Sequence, residues 1–318
     1  MAMFVLSLAL WILMPRMAAA QLAGGPGVAP QADEQTKTQS GATSSEKKPT
    51  KPLAMVDVMR ANLEPSYLAY PIPVSGLAPT IFESNVVAHF IVNRPSWPLA
   101  VVLTPKIVLR MFREASAPVQ SPSYMPRVTL FVWFQEELRD RLALYASVML
   151  SHHSNGQAGE FFDANHQVNH TTGSFSTNYL EFSLYGTGFS GPWFGWSSLS
   201  FEWHPGFNEN PELRGRYGLT RLHLSSTVLA NLPLKGQLGV RISAILDGFS
   251  KSSQRPLLRG LERFPVSIRY TITVPGIDLG LYAGYYIGHD YYNIYFDRVL
   301  HAFQLGISGG VAPALLSD

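Results

Sequence analysis

The chain has 318 residues, with 24 Lys and Arg against 22 Asp and Glu, and no cysteine. A net charge of +2 without a basic, aromatic-interleaved patch gives nucleic acid no footprint, and the missing cysteine excludes a disulfide framework and a thiol nucleophile. Charged residues make up only 14% of the chain where soluble domains carry about 25%, while aromatics reach 12%.

In chain order, the first element is an apolar run from Phe4 to Met14 followed by Ala18, Ala19 and Ala20. The run is too short to span a bilayer, which needs about 20 residues, so the pattern predicts a secretory signal peptide over 1–20. Residues 21–60 are rich in Gly, Ala and Pro, then in Gln, Thr, Ser and Lys. They offer too little apolar surface to offset chain entropy, and a disordered linker is expected there. The remainder, 61–318, is expected to be one β-barrel domain.

From about residue 66 the hydrophobic period is two, the signature of strands. Alternating runs fall at 66–74, 84–93, 98–113, 128–134, 139–154, 176–187, 194–204, 218–228, 235–246, 263–274, 278–288 and 300–309. In the fourth run Val128, Leu130, Val132 and Phe134 alternate with Thr129, Phe131 and Trp133. In the tenth, Phe264, Val266, Ile268, Tyr270, Ile272 and Val274 alternate with Arg263, Ser267, Arg269, Thr271 and Thr273. A soluble sandwich would alternate too, but its strands usually stop near five or six residues. Long strands, export, scarce charge and many aromatics near strand ends predict an all-β fold, a transmembrane antiparallel barrel of about 12 strands in the bacterial outer membrane. Closing the sheet pairs every backbone group without leaving an edge.

Parity then singles out one stretch, "SHHSNGQ" at 151–157. Leu142, Leu144, Ala146, Val148 and Leu150 occupy even positions, so His152 and Ser154 fall on the apolar, outward side and His153 on the lumenal side. In the next strand Leu180, Phe182 and Leu184 are even, which carries Asn178, Ser176 and Ser174 outward as well. Polar groups facing hydrocarbon are costly unless satisfied or functional. A serine, a histidine and an asparagine on one face can act as nucleophile, general base and orienting group. The residues alone also allow a bland alternative, a polar rim that meets lipid headgroups.

"HHSNG" at 152–156 followed by "SFSTN" at 174–178 resembles the outer membrane phospholipase A family, with its His-x-Ser-Asn-Gly and Ser-x-Ser-x-Asn signature. "SYLAY" (66–70), "SAPVQSPSYMP" (116–126) and "GHDYYNIYFDRVLHAFQLGI" (288–307) extend the likeness over roughly 66–309. The resemblance implies a twelve-stranded barrel bearing His152 as base, Ser154 as nucleophile, Asn178 as the group orienting the histidine, and the Gly156 N–H as oxyanion donor. It also implies a Ca²⁺ ion held by the Ser174 hydroxyl, the Gln157 carbonyl and the Ser116 carbonyl of a second barrel, hence a calcium-promoted homodimer acting on membrane phospholipids. Oxygen ligands of this kind suit calcium. The family commonly has arginine at the position of Gln157, and the stretch between Gly156 and Ser174 is longer here, carrying "GEFFDANHQVNHTT".

Other readings compete with this one. His152, His153, His166 and His170 could suggest a transition-metal site, but strand parity separates the first two, and the last two are expected on a loop surface. Asp290 and Asp297 are expected in an external loop, solvated or structural. A channel or adhesion barrel would explain the alternation but not the polar outward face. A lipid A deacylase-type barrel also carries His-x-Ser, with fewer strands and an acidic third member.

Overall fold

The computed structural model describes residues 53–309, apart from 95, 135–136, 139–141, 191–192, 208, 231–235, 248–260, 274–276 and 278. The expected signal peptide and most of the expected linker therefore lie outside the described residues.

Twelve strands form the wall: β1 (Ser66–Ser75), β2 (Thr80–Val87 and Phe90–Asn93), β3 (Leu99–Thr104 and Lys106–Phe112), β4 (Ser123–Tyr124 and Arg127–Trp133), β5 (Ala143–Ser154), β6 (Ser176–Ser190), β7 (Trp193–Trp203), β8 (Thr220–Ala230), β9 (Gly236–Ile245), β10 (Val266–Thr273), β11 (Leu279–His289) and β12 (Val299–Gly309). Each pairs antiparallel with its sequence neighbours, and β12 pairs with β1 to close the barrel. The period-two segments thus become strands at the expected places. Breaks within β3 and β4 fall at Pro105 and near Pro126. Proline has no N–H to give the ladder, so a run that alternates cleanly in sequence is interrupted there.

The barrel is apolar outside and polar within, the distribution of membrane-spanning barrels. On β5, Leu144, Val148 and Leu150 are exposed, whereas Tyr145, Ser147, Met149, Ser151 and His153 are buried. The same outward series of large apolar residues continues through Phe182, Leu199, Phe201, Leu222, Leu281, Phe303 and Leu305.

One end of the lumen is filled by a segment expected to be linker. Leu53–Ala54 pairs with Glu137–Leu138, and α1 (Met55–Ala61) follows at once. Met55, Val58 and Met59, spaced i, i+3, i+4, are each 1% exposed and pack against Phe131, Trp133, Tyr145, Phe194 and Trp196. Burying such side chains contributes on the order of 1.5–3 kcal/mol each, enough to order a short segment amid polar sequence. Residues 53–60 of the expected linker are thus held in a strand and a helix.

The opposite end gathers the longer connections and is closed by an aromatic cluster of Phe112, Phe161, Phe175, Tyr217, Tyr292, Tyr295 and Phe296. Between the two ends, charges pair in networks around a cavity of about 460 Å³. The Arg110 guanidinium donates to Glu83 (2.8 Å) and, bidentately, to Asp290 (2.8 and 3.0 Å). Glu64, just after α1, accepts from Lys106 (2.8 Å) and Arg127 (2.9 Å). Asp290 is therefore a buried structural group, not a solvated one.

Candidate active site

The end of β5 and the start of β6 meet at the loop-rich rim. Their register sets His152 opposite Asn178 and Ser154 opposite Ser176. His152 and Ser154 are half-buried on the outer face, while Asn178 is 8% exposed. The histidine Nδ1 lies 2.9 Å from Asn178 Oδ1.

That contact fixes a tautomer. Asn178 Nδ2 donates to the Phe207 carbonyl at 2.8 Å, and a carbonyl can only accept, so the oxygen end of the amide faces the imidazole. His152 must then carry its proton on Nδ1, which leaves Nε2 as the free basic nitrogen. Among the described residues Nε2 has no partner, and neither does the Ser154 hydroxyl. The histidine–asparagine half of the constellation is formed here and the serine–histidine hydrogen bond is not.

His153 is a different kind of histidine. It is 3% exposed, points into the barrel, places Nε2 3.2 Å from Ser123 Oγ and packs edge-on against Phe175. Adjacent histidines thus serve opposite faces of one strand, as the alternation requires.

The loop after Ser154 is framed by Asn155, whose buried side chain accepts from the backbone N–H groups of Gln157 (3.2 Å) and Phe175 (2.9 Å) and donates to the Gly173 carbonyl (2.8 Å). Gly156 is exposed at φ 67°, and a Cβ there would come within 3.1 Å of the Tyr124 ring. The left-handed backbone and the close ring both favour glycine. Its N–H has no acceptor among the described residues.

The residues between Gly156 and Ser174 fold back on themselves. Gly159 bridges to Gly173 and Phe162 to Val168, and Phe161 sits in the aromatic cap. His166 is exposed as expected. His170 is not free surface: its Nε2 lies 2.8 Å from Asp297, Arg298 reaches its Nδ1 at 3.1 Å, and the ring stacks on Tyr295. Asp297 therefore tethers the 157–173 segment to the 293–298 turn.

Of the residues expected to hold calcium, Ser174 is half-buried and its hydroxyl accepts from Asn210 Nδ2 at 3.1 Å. The Gln157 carbonyl accepts no hydrogen bond among the described residues. A hydroxyl and an unsatisfied carbonyl fit a hard cation. Ser116 is exposed at φ 65° in the loop between β3 and β4. Elsewhere, Glu181, Glu202 and His223 set ligand atoms within 4.8 Å of one another in the lumen. Arg221 (3.2 Å) and His204 (3.0 Å) already pair with Glu202, and Arg241 reaches Glu181 at 3.4 Å, so that cluster is an ion-pair network in its own right.

Sequence reasoning did not find Asn155, Asn210 or the Phe207 carbonyl. Asn155 lies inside the motif itself. Asn210 lies more than thirty residues beyond Ser174, and a backbone carbonyl leaves no trace in sequence.

No protein-family model matches the chain, and no curated protein matches it significantly. Among solved structures, outer membrane phospholipase A from Escherichia coli is similar at a TM-score of 0.55 and 14% identity, covering 80% of this chain and 97% of the other. An active-site mutant of the same enzyme gives 0.55 at 13%, covering 84% and 95%. The Salmonella typhi outer membrane phospholipase, solved as a dimer with bound calcium, gives 0.56 at 14%, with coverage of 80% and 97%. At these identities the likeness is one of fold: this chain has the closed twelve-stranded barrel architecture of the outer membrane phospholipases.

Proposed function

We propose that this chain is a calcium-dependent outer-membrane phospholipase that hydrolyses acyl esters of glycerophospholipids at its lipid-facing rim. The observation that carries the proposal is the His152–Asn178 pair, built on the outer face with Nε2 unpartnered among the described residues and Ser154 two residues further along the same strand. A neutral asparagine can orient the base beside hydrocarbon without the desolvation cost of a carboxylate.

In this reading Ser154 Oγ attacks the ester carbonyl carbon as its proton passes to His152 Nε2. The resulting oxyanion accepts from the Gly156 N–H. Collapse breaks the acyl C–O bond, and the lysophospholipid alkoxide takes the proton from His152. His152 then deprotonates a water that attacks the acyl-serine, releasing the fatty acid and restoring the serine. Ser174 Oγ, the Gln157 carbonyl and Ser116 of a second copy would hold calcium, which when bound adds positive charge near the developing oxyanion and couples hydrolysis to dimerisation.

The test is fatty-acid release from phospholipid micelles by the detergent-refolded chain, with and without chelator, alongside lipid A as substrate and an ion-conductance arm. Release from phospholipid that stops on chelation supports the proposal. Inactivity toward phospholipid with deacylation of lipid A, or with conductance alone, would sink it.

A further inference from the structure

The connection between β7 and β8 runs back along the first residues of β6, and Asn210 fastens it there. Its N–H donates to the Ser176 carbonyl (2.9 Å), and its Oδ1 accepts from the Ser176 N–H (2.6 Å). The remaining amide valence, Nδ2, donates to Ser174 Oγ (3.1 Å). Three residues earlier, the Phe207 carbonyl takes the amide of Asn178. One loop therefore touches both halves of the site: the asparagine that orients His152, and the hydroxyl suited to calcium.

The chemistry of these contacts is specific. A serine oxygen has two lone pairs and one rotatable proton. Donation from Asn210 occupies one lone pair and fixes how the other is directed, so Ser174 Oγ is held ready for a cation instead of rotating. The two bonds to Ser176, one from the Asn210 backbone N–H and one to its Oδ1, hold the amide with Nδ2 turned toward Ser174. Partners that orient a metal ligand typically account for about 10–100-fold in metal affinity.

We infer that Asn210 is a positioning residue that sets the calcium affinity of the site by orienting the Ser174 hydroxyl. The inference rests on the phospholipase reading above. Asn210→Ala removes the donor to Ser174 and the acceptor for Ser176. Asn210→Asp keeps the acceptor for Ser176 and removes only the donor to Ser174, whose own proton can turn toward the new carboxylate and leave both lone pairs to a cation.

The experiment titrates full-length, detergent-refolded wild type, Asn210→Ala and Asn210→Asp with calcium, reading fatty-acid release, and with terbium, reading sensitised luminescence without substrate. Heat-modifiable gel migration checks that each barrel is folded. Asn210→Ala should raise the half-saturating concentration of both ions by roughly tenfold or more, with hydrolysis largely restored at saturating calcium. Asn210→Asp should bind both ions at least as well as wild type. A folded Asn210→Ala barrel with wild-type calcium and terbium curves would overturn the inference while leaving the phospholipase reading intact. Should Asn210→Ala fail to fold, an Asn210→Asp barrel that binds terbium tenfold more weakly than wild type would overturn it instead. Wild type that binds neither ion would overturn the inference together with the calcium part of that reading.

Discussion

Two polar clusters lie on opposite sides of the same barrel wall, and they are built in opposite ways. In the lumen Arg110, Glu83 and Asp290 are each 1% exposed, and the guanidinium spends its donors on both carboxylates while lying over the rings of Tyr291 and Tyr292. Tyr67, Tyr291 and Gln304 also donate to Glu83. Among the described residues every one of these groups is paired. On the outer face His152 and Ser154 are half-buried, and the chain of bonds stops short. Phe207 holds Asn178, Asn178 holds His152, and among the described residues His152 Nε2 and Ser154 Oγ have no partner. Closed networks hold a barrel together; an oriented base with an open valence is where chemistry can happen. The comparison predicts that changes inside should cost stability and changes outside should cost rate.

The largest effect is expected outside. His152→Ala and Ser154→Ala should each lower fatty-acid release by roughly 10⁴-fold, as loss of a triad member typically does, with urea midpoints close to wild type. His153→Ala, one residue away, should reverse the pattern, leaving most activity but lowering the midpoint through loss of its packing on Phe175. Next comes Gly156→Ala, expected to cost roughly 10²-fold in kcat, the scale of one oxyanion donor, because a side chain at φ 67° beside the Tyr124 ring displaces the N–H.

How far the sequence reveals these two clusters differs in the same way. Parity places His152 and Ser154 outside and His153 inside, because an alternating strand has only two faces. The twelve strands follow from the same periodicity. The pairing of Arg110 with Asp290 joins residues 180 positions apart, and no local pattern announces it. Breaks at Pro105 and Pro126 do have a local signal, since proline interrupts a ladder, but long alternating runs mask it. The plug was readable in principle: Met55, Val58 and Met59 show helical spacing inside a polar stretch whose composition suggests disorder. Asn210 was not, because its role depends on where a loop folds back.

Inside the barrel, Arg110→Met should destabilise by about 3–5 kcal/mol, the cost of leaving buried carboxylates without their counter-charge. Urea unfolding of the detergent-refolded variant measures this, and residual activity per folded molecule should stay near wild type. A variant that folds normally but loses catalysis would break the division between the two faces.

The smallest effect concerns Glu64. Burial raises its carboxyl, but the charges of Lys106, Arg127 and Arg269 outweigh burial and hold it well below the ordinary value of 4.5. A depressed folded pKa means this stabilisation is fully present above the unfolded value and is lost as pH falls toward the folded one. Wild-type stability should therefore decline below about pH 4.5, and Glu64→Gln should remove that part of the decline while starting from lower stability at neutral pH. A pH series of urea midpoints for the two proteins decides it. An unchanged acid slope in Glu64→Gln would mean that other carboxylates carry it.

In the proposed mechanism an oriented His152, not His153, activates Ser154 on the lipid-facing wall. The most direct measurement is covalent labelling by a long-chain alkylsulfonyl fluoride, with the modified residue located by mass spectrometry in wild type, His152→Ala and His153→Ala. Label is expected on Ser154 in wild type and in His153→Ala, and little in His152→Ala. Labelling that survives in His152→Ala and disappears in His153→Ala would contradict it, because the reactive face would then be the lumen.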